Sequence, residues 1–76
     1  MEIKILGTGC PKCNKLEKLV KEIVQEKGSD ALVEKISDVN QIAMAGVMLT
    51  PALMIDGDIK VVGKVPSKED LAKMID

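Results

Sequence analysis

Cys10 and Cys13 frame the run Cys10-Pro11-Lys12-Cys13 and are the only thiols in a 76-residue sequence that contains no histidine. Sulfur at this spacing has two chemistries open to it. Two thiols one helical turn apart can close a small disulfide ring or grip one soft metal ion, and both uses need the anionic thiolate. Closing so small a ring removes little chain entropy, contributing about 2 kcal/mol by the loop formula, so a purely structural crosslink would be poorly placed here. The pair reads as reactive rather than as a staple.

The elements that must carry this pair can be read from the residues around it. Ile3, Ile5 and Leu6 form a short β-type run, and Gly7-Thr8-Gly9 turns the chain directly before the first cysteine. Pro11 suits the first helical position, where a missing N–H costs nothing. Leu16, Leu19, Val20, Ile23 and Val24 then recur at helical spacing up to a stop at Gly28. The opposite face, with Lys15, Lys18, Lys21, Glu22 and Gln25, reads as solvated, or as a docking surface for an acidic reductase. A second strand over residues 31–36, reached through a 17-residue helical crossover, implies a parallel βαβ unit.

Asp38 and Gln41 resemble a capping box opening a short helix through Ile42, Ala43, Met44 and Ala45 to Gly46. After Thr50-Pro51 the run Ala52-Leu53-Met54-Ile55 lacks polar alternation, which predicts a strand covered on both faces. Asp56-Gly57 is a hairpin signal with Ile59 to Val62 as the returning strand. Ser67, as N-cap, starts a terminal helix that turns Leu71, Ala72, Met74 and Ile75 inward. The predicted order is β-α-β-α-β-β-α in one domain over residues 1–76, an α/β fold with a four-stranded mixed sheet flanked by helices.

Composition narrows the function further. Eleven Lys and Arg against twelve Asp and Glu leave a net charge of -1, and Phe, Tyr and Trp are absent. Neither a basic field nor a base-stacking platform exists, so nucleic acid is not an expected partner. Branched aliphatics must fill the core, with Met44, Met48, Met54 and Met74 expected as filler and Met48 alternatively lining a partner groove. The N-terminal apolar run is too short and too charged for a signal peptide, and no apolar stretch is long enough to span a bilayer. The expected compartment is the cytosol, where a lone cysteine pair is more often catalytic or metal-binding than structural.

Taken together, a Cys-x-x-Cys opening helix one of a βαβ unit, a Thr-Pro before a later strand and an Asp-Gly hairpin beyond it resemble the thioredoxin-like family. The likeness is to thioredoxin and its small glutaredoxin-like prokaryotic relatives, and it covers the whole chain. It implies a thiol–disulfide oxidoreductase with no cofactor beyond a redox-active Cys10–Cys13 disulfide. By the same resemblance Cys10 is the exposed nucleophile, Cys13 the buried resolving thiol, and Pro51 a cis proline whose loop with Thr50 docks the partner's backbone. Expected partners are disulfide-bearing proteins and a reductase, and the expected state is a monomer.

Physical chemistry gives Cys10 the same part. An ordinary thiol, with a pKa of about 8.5, is only a few per cent ionised at neutral pH, and a helix dipole contributes about 0.3–1 kcal/mol, less than one pKa unit. Backbone N–H donors at Lys12 and Cys13, worth about 1.5–3 kcal/mol each before desolvation, would supply the rest, with the screened Lys12 ammonium adding less. This chain also differs from thioredoxins at several positions. Gly9 stands where they place an aromatic, Lys4 where they place a buried acid, and Pro-Lys replaces their usual Gly-Pro between the cysteines. Gly63-Lys64 replaces the glutathione-binding double glycine of glutaredoxins.

The main rival is a copper(I) or zinc carrier using the same thiolates. Carriers of this length follow β-α-β-β-α-β order and usually show Met-Thr before the first cysteine, where this chain has Thr8-Gly9. Zinc would also need about four ligands, and the chain offers two thiols and no imidazole. An inert binding module is a third reading. Gly7-x-Gly9 lacks the third glycine of a dinucleotide fingerprint, since Lys12 stands there, and reads as a tight strand-to-helix turn.

Overall fold

The computed structural model describes residues 1–9 and 11–75. Alternation in Ile3-Lys4-Ile5 gives β1 (Glu2–Leu6), which pairs in parallel with β2 (Leu32–Ile36), Ile3 beside Val33 and Leu6 beside Ile36. The 17-residue α1 (Pro11–Lys27) makes the crossover between them, with Leu16, Val20 and Ile23 buried. Gly28 closes it with a φ of +60°, the left-handed conformation that favours glycine at a helix end.

α2 (Val39–Met44) follows, then β3 (Ala52–Ile55), β4 (Asp58–Val62) and α3 (Lys68–Met74). Sheet order is β2-β1-β3-β4, with β3 antiparallel to both of its neighbours. This is the α/β arrangement expected from the residues, a four-stranded mixed sheet flanked by helices.

Asp56 and Gly57, with φ of 51° and 87°, turn the β3–β4 hairpin, positive φ at both central positions being the type I′ pattern that matches strand twist. The Asp56 carboxylate accepts from the Glu2 N–H at 2.8 Å, while its own N–H donates to the Glu2 carbonyl. Further along the hairpin the register shifts by one. Leu53 faces Val61 but Met54 faces Ile59, so Lys60 is the extra residue of a β-bulge.

Pleating sends alternate side chains to opposite faces of the sheet. On one face Ile3, Ile5, Leu53, Ile55 and Val61 meet Leu16, Val20 and Ile23 of α1 and Leu71 and Ile75 of the terminal segment. On the other, Leu6 and Ala52 meet Ile42 and Val47, with half-buried Ile36, Ala45 and Met54 packed around them. β3 is covered on both faces, as its unbroken apolar run predicts.

Two lysines tie the helices of the thicker face together. Lys27, at the end of α1, donates to the carbonyls of Ala72 and Ile75, which α3 leaves unsatisfied at its own end. Lys68 pairs with Glu26 at 2.6 Å and Glu22 at 3.7 Å. The hydrogen bond that the Lys68 ammonium donates to Glu26 is the chief cause raising the Lys68 pKa above its ordinary 10.5. A raised lysine pKa means that this pairing is complete below pH 10.5 and fades as the pH climbs through the folded value.

Three local expectations are corrected. Asp38 caps α2 by accepting from the Asn40 N–H at 2.8 Å, one position earlier than the Gln41 N–H of the expected capping box. Met44 and Met48 are not core filler, being 88% and 91% exposed, because six-residue α2 turns only Ile42 to the sheet. Met54 and Met74 do fill, half-buried against the two clusters.

Candidate active site

Cys10 lies outside the described residues. Pro11 and Lys12 are exposed in the first turn of α1, and Cys13, one turn along the helix axis, is fully buried. That burial follows from helical spacing. Cys13 precedes Leu16 and Val20 by three and seven positions, placing it on the stripe that faces the sheet.

Gly7 makes room for this thiol. A Cβ at Gly7 would stand 2.3 Å from Cys13 Sγ and 2.9 Å from Cys13 Cβ, far inside contact distance. Its φ is not in the left-handed region, unlike that of Gly9 at +92°, so the two glycines of the expected turn serve different ends. Gly9 supplies the turn and Gly7 supplies the space. The Gly7 N–H also donates to the Ile36 carbonyl at 2.9 Å, which holds the end of β1 to β2.

Pro51 is buried and Thr50 half-buried, and the peptide bond between them is cis. The Gly63 N–H donates to the Pro51 carbonyl at 2.8 Å. Gly63 has a φ of +73°, and a Cβ there would meet Leu49 Cβ at 3.1 Å, so the exit of β4 closes on the loop that carries Pro51. Thr8, just before the motif, and Thr50 share the lining of a cavity of about 210 Å³ with Val39, Ile42, Val47 and Met48. Exposed Val39, Met44, Met48 and Leu49 add apolar surface on α2 and the loop after it.

A polar chain runs beside the start of α1. Asn14 donates through Nδ2 to the Gly9 carbonyl at 3.4 Å and accepts at Oδ1 from Lys35 Nζ at 3.3 Å. Lys35, on β2, also lies 3.8 Å from Glu17. Among the described residues no group of three or more Cys, Asp or Glu gathers as a metal cage requires.

The structure thus brings the motif helix, the buried Cys13, Thr8 and the Thr50–Pro51 loop to one end of the sheet. Gly7, Gly63 and Asn14 are the participants that motif reading does not single out. Gly7 had a signal nonetheless, since the alternation of Ile3 and Ile5 carries position 7 to the face beneath α1.

A four-stranded mixed sheet whose first helix begins within a Cys-x-x-Cys, its second cysteine sealed against the strand end and a cis proline nearby, defines the class of small thiol–disulfide oxidoreductases. Comparison with known proteins makes the class a family. The thioredoxin domain family profile matches residues 1–76. A thioredoxin of Methanothermobacter thermautotrophicus is 47% identical over 75 residues, covering 99% of this chain and 97% of the relative. A thioredoxin of Methanocaldococcus jannaschii is 48% identical over 69 residues, covering 91% and 79% respectively. The chain belongs to the thioredoxin domain family, and its activity is thiol–disulfide exchange. The metal-carrier reading gains no support from these relatives.

Proposed function

We propose that the chain, acting as one monomeric domain, reduces disulfides of partner proteins through Cys10 and Cys13 and is then recharged by a reductase. The observation carrying this reading is the complete burial of Cys13 against Gly7 at the first turn of α1. A sulfur withheld from solvent cannot open a substrate's disulfide, but it can take part in a second, intramolecular step.

The Cys10 thiolate attacks one sulfur of the substrate disulfide. That S–S bond breaks, a mixed disulfide forms, and one substrate thiolate leaves. Cys13 then gives up its proton and attacks the Cys10 sulfur, releasing the second substrate thiolate and leaving Cys10 and Cys13 joined. Two electrons and two protons from the reductase restore the dithiol, so no bound cofactor is needed. Backbone N–H groups at Lys12 and Cys13 favour the first thiolate, with the exposed Lys12 ammonium and Pro11 at the helix start in supporting parts.

The cavity between Thr8 and Thr50, with the apolar surface of Val39, Met48 and Leu49 beside it, is the docking ground for the substrate backbone, and Pro51 fixes that loop. No helix among the described residues is long and apolar enough to cross a membrane. A cytoplasmic site of action accords with a reducing partner pool.

The test is trapping. Cys13→Ser should accumulate covalent mixed disulfides with partner proteins, Cys10→Ser should accumulate none, and both should lose insulin reduction. Trapping by Cys10→Ser instead would reverse the assignment.

A further inference from the structure

We propose that Asn14 is a positioning residue for the exchange reaction, tethering the backbone immediately before the attacking cysteine, with Lys35 fixing the orientation of its amide. This rests on the reading above that Cys10 attacks first.

The loop Gly7-Thr8-Gly9 is poorly able to hold itself. Gly9 sits at a φ of +92°, a conformation that glycine alone enters freely, and glycine is also the residue least confined to any one conformation. Yet the Gly9 carbonyl and the Cys10 amide nitrogen belong to the same planar peptide unit, so the orientation of one governs the direction in which Cys10 leaves the loop. Something outside the loop has to hold that plane, and the Asn14 amide reaches it at 3.4 Å.

The donor end of that amide is dictated by its neighbours. Gly9 offers a carbonyl, which can only accept, and Lys35 offers an ammonium, which can only donate. The single arrangement serving both puts Nδ2 on Gly9 and Oδ1 on Lys35, as found. Lys35 is itself held. It stands opposite Ile5 in the β1–β2 ladder, on the face covered by α1, with its ammonium 3.8 Å from Glu17. Glu17 also meets Lys21 at 3.5 Å, an i,i+4 pair on the surface of α1.

Helix propensity does not account for this residue. Position 14 is exposed within α1, where Lys, Glu or Gln would form helix better than Asn, whose short amide competes for backbone groups. Here it competes for the carbonyl next to the nucleophile. On this proposal the tether sets the peptide plane from which Cys10 leaves the loop, and losing it would make the attacking thiol less reactive at neutral pH.

The experiment measures iodoacetamide alkylation of the reduced protein against pH, alongside insulin turnover and thermal midpoint. Asn14→Ala should slow alkylation at pH 7 by about threefold to tenfold, the range expected for one lost neutral hydrogen bond, and move the alkylation midpoint upward with little change in melting. Lys35→Ala should shift it in the same direction by less, and Lys35→Arg, whose guanidinium can donate to the same oxygen, should restore the wild-type profile. Wild-type profiles in Asn14→Ala and Lys35→Ala overturn the proposal. Should Asn14→Ala fail to fold, the two Lys35 variants decide alone. Cys10→Ser, measured alongside, separates the two readings: retained turnover there defeats the assignment of Cys10, whereas its loss combined with an unmoved Asn14→Ala profile defeats only the role of Asn14.

Discussion

On one side of the sheet α1 and α3 close over Ile3, Ile5, Leu53, Ile55 and Val61, and Lys27 and Lys68 clamp the two helices together. On the other side α2 sets Ile42 over Leu6 and Ala52 and leaves Val39, Met44, Met48 and Leu49 in water. The first side spends its apolar surface within the molecule, and the second presents it to whatever comes to the Thr8–Thr50 cavity. On the proposed reading, folding stability and substrate capture are drawn from different side chains, and both converge on Cys13, which hangs from the thick side at the end of the sheet.

A deletion in the thick side puts this division under the heaviest load. Leu16→Ala should cost about 2–5 kcal/mol in chemical denaturation while leaving turnover per folded molecule near wild type. A turnover loss larger than the unfolded fraction would show that the two faces are coupled.

Gly7→Ala acts where the faces join, and its Cβ must displace Cys13 Sγ from 2.3 Å. Overpacking of this kind should cost about 1–3 kcal/mol and delay release of the mixed disulfide. In a double-mutant cycle the stability cost should shrink when Cys13 is also changed to Ala; an equal cost in both backgrounds would mean that the clash is relieved elsewhere.

The smallest effect on folding is expected from Met48→Glu on the thin side. At 91% exposure the substitution should alter stability by no more than about 0.5 kcal/mol, yet reduce turnover of protein disulfides severalfold. Reduction of a small-molecule disulfide, which needs no docking surface, should hardly change. If both substrates slow equally, Met48 is not part of the docking ground.

Much of this was legible in the residues because it depends on local periodicity. The α1 stripe from Leu16 to Val24, the Asp56-Gly57 turn and the Ser67 cap, whose hydroxyl accepts from Asp70 N–H at 3.2 Å, each need only a few neighbouring positions to be recognised. The buried Cys13 follows from the same stripe. What escaped depends on partners remote in sequence. Met44 and Met48 read as core by composition, but α2 is too short to cover its face of the sheet. The meeting of Asn14 with Lys35 spans 21 residues and two elements, and no local pattern encodes it. Gly7 looked like a turn residue because glycine has two uses, and only the position of Cys13 Sγ shows which applies.

Lys60, the surplus residue of the hairpin, has an influence out of proportion to its exposed side chain. Were β3 and β4 to continue in the alignment set at their turn, Lys60 rather than Val61 would stand beside Leu53 in the interior, and Val62 rather than Gly63 would arrive opposite Pro51. That single offset keeps an ammonium out of the core and delivers a glycine to a position whose φ of +73° favours it and where a Cβ would crowd Leu49 at 3.1 Å. The shape of the proline loop is thus set by counting, several residues away, along the far edge of the sheet.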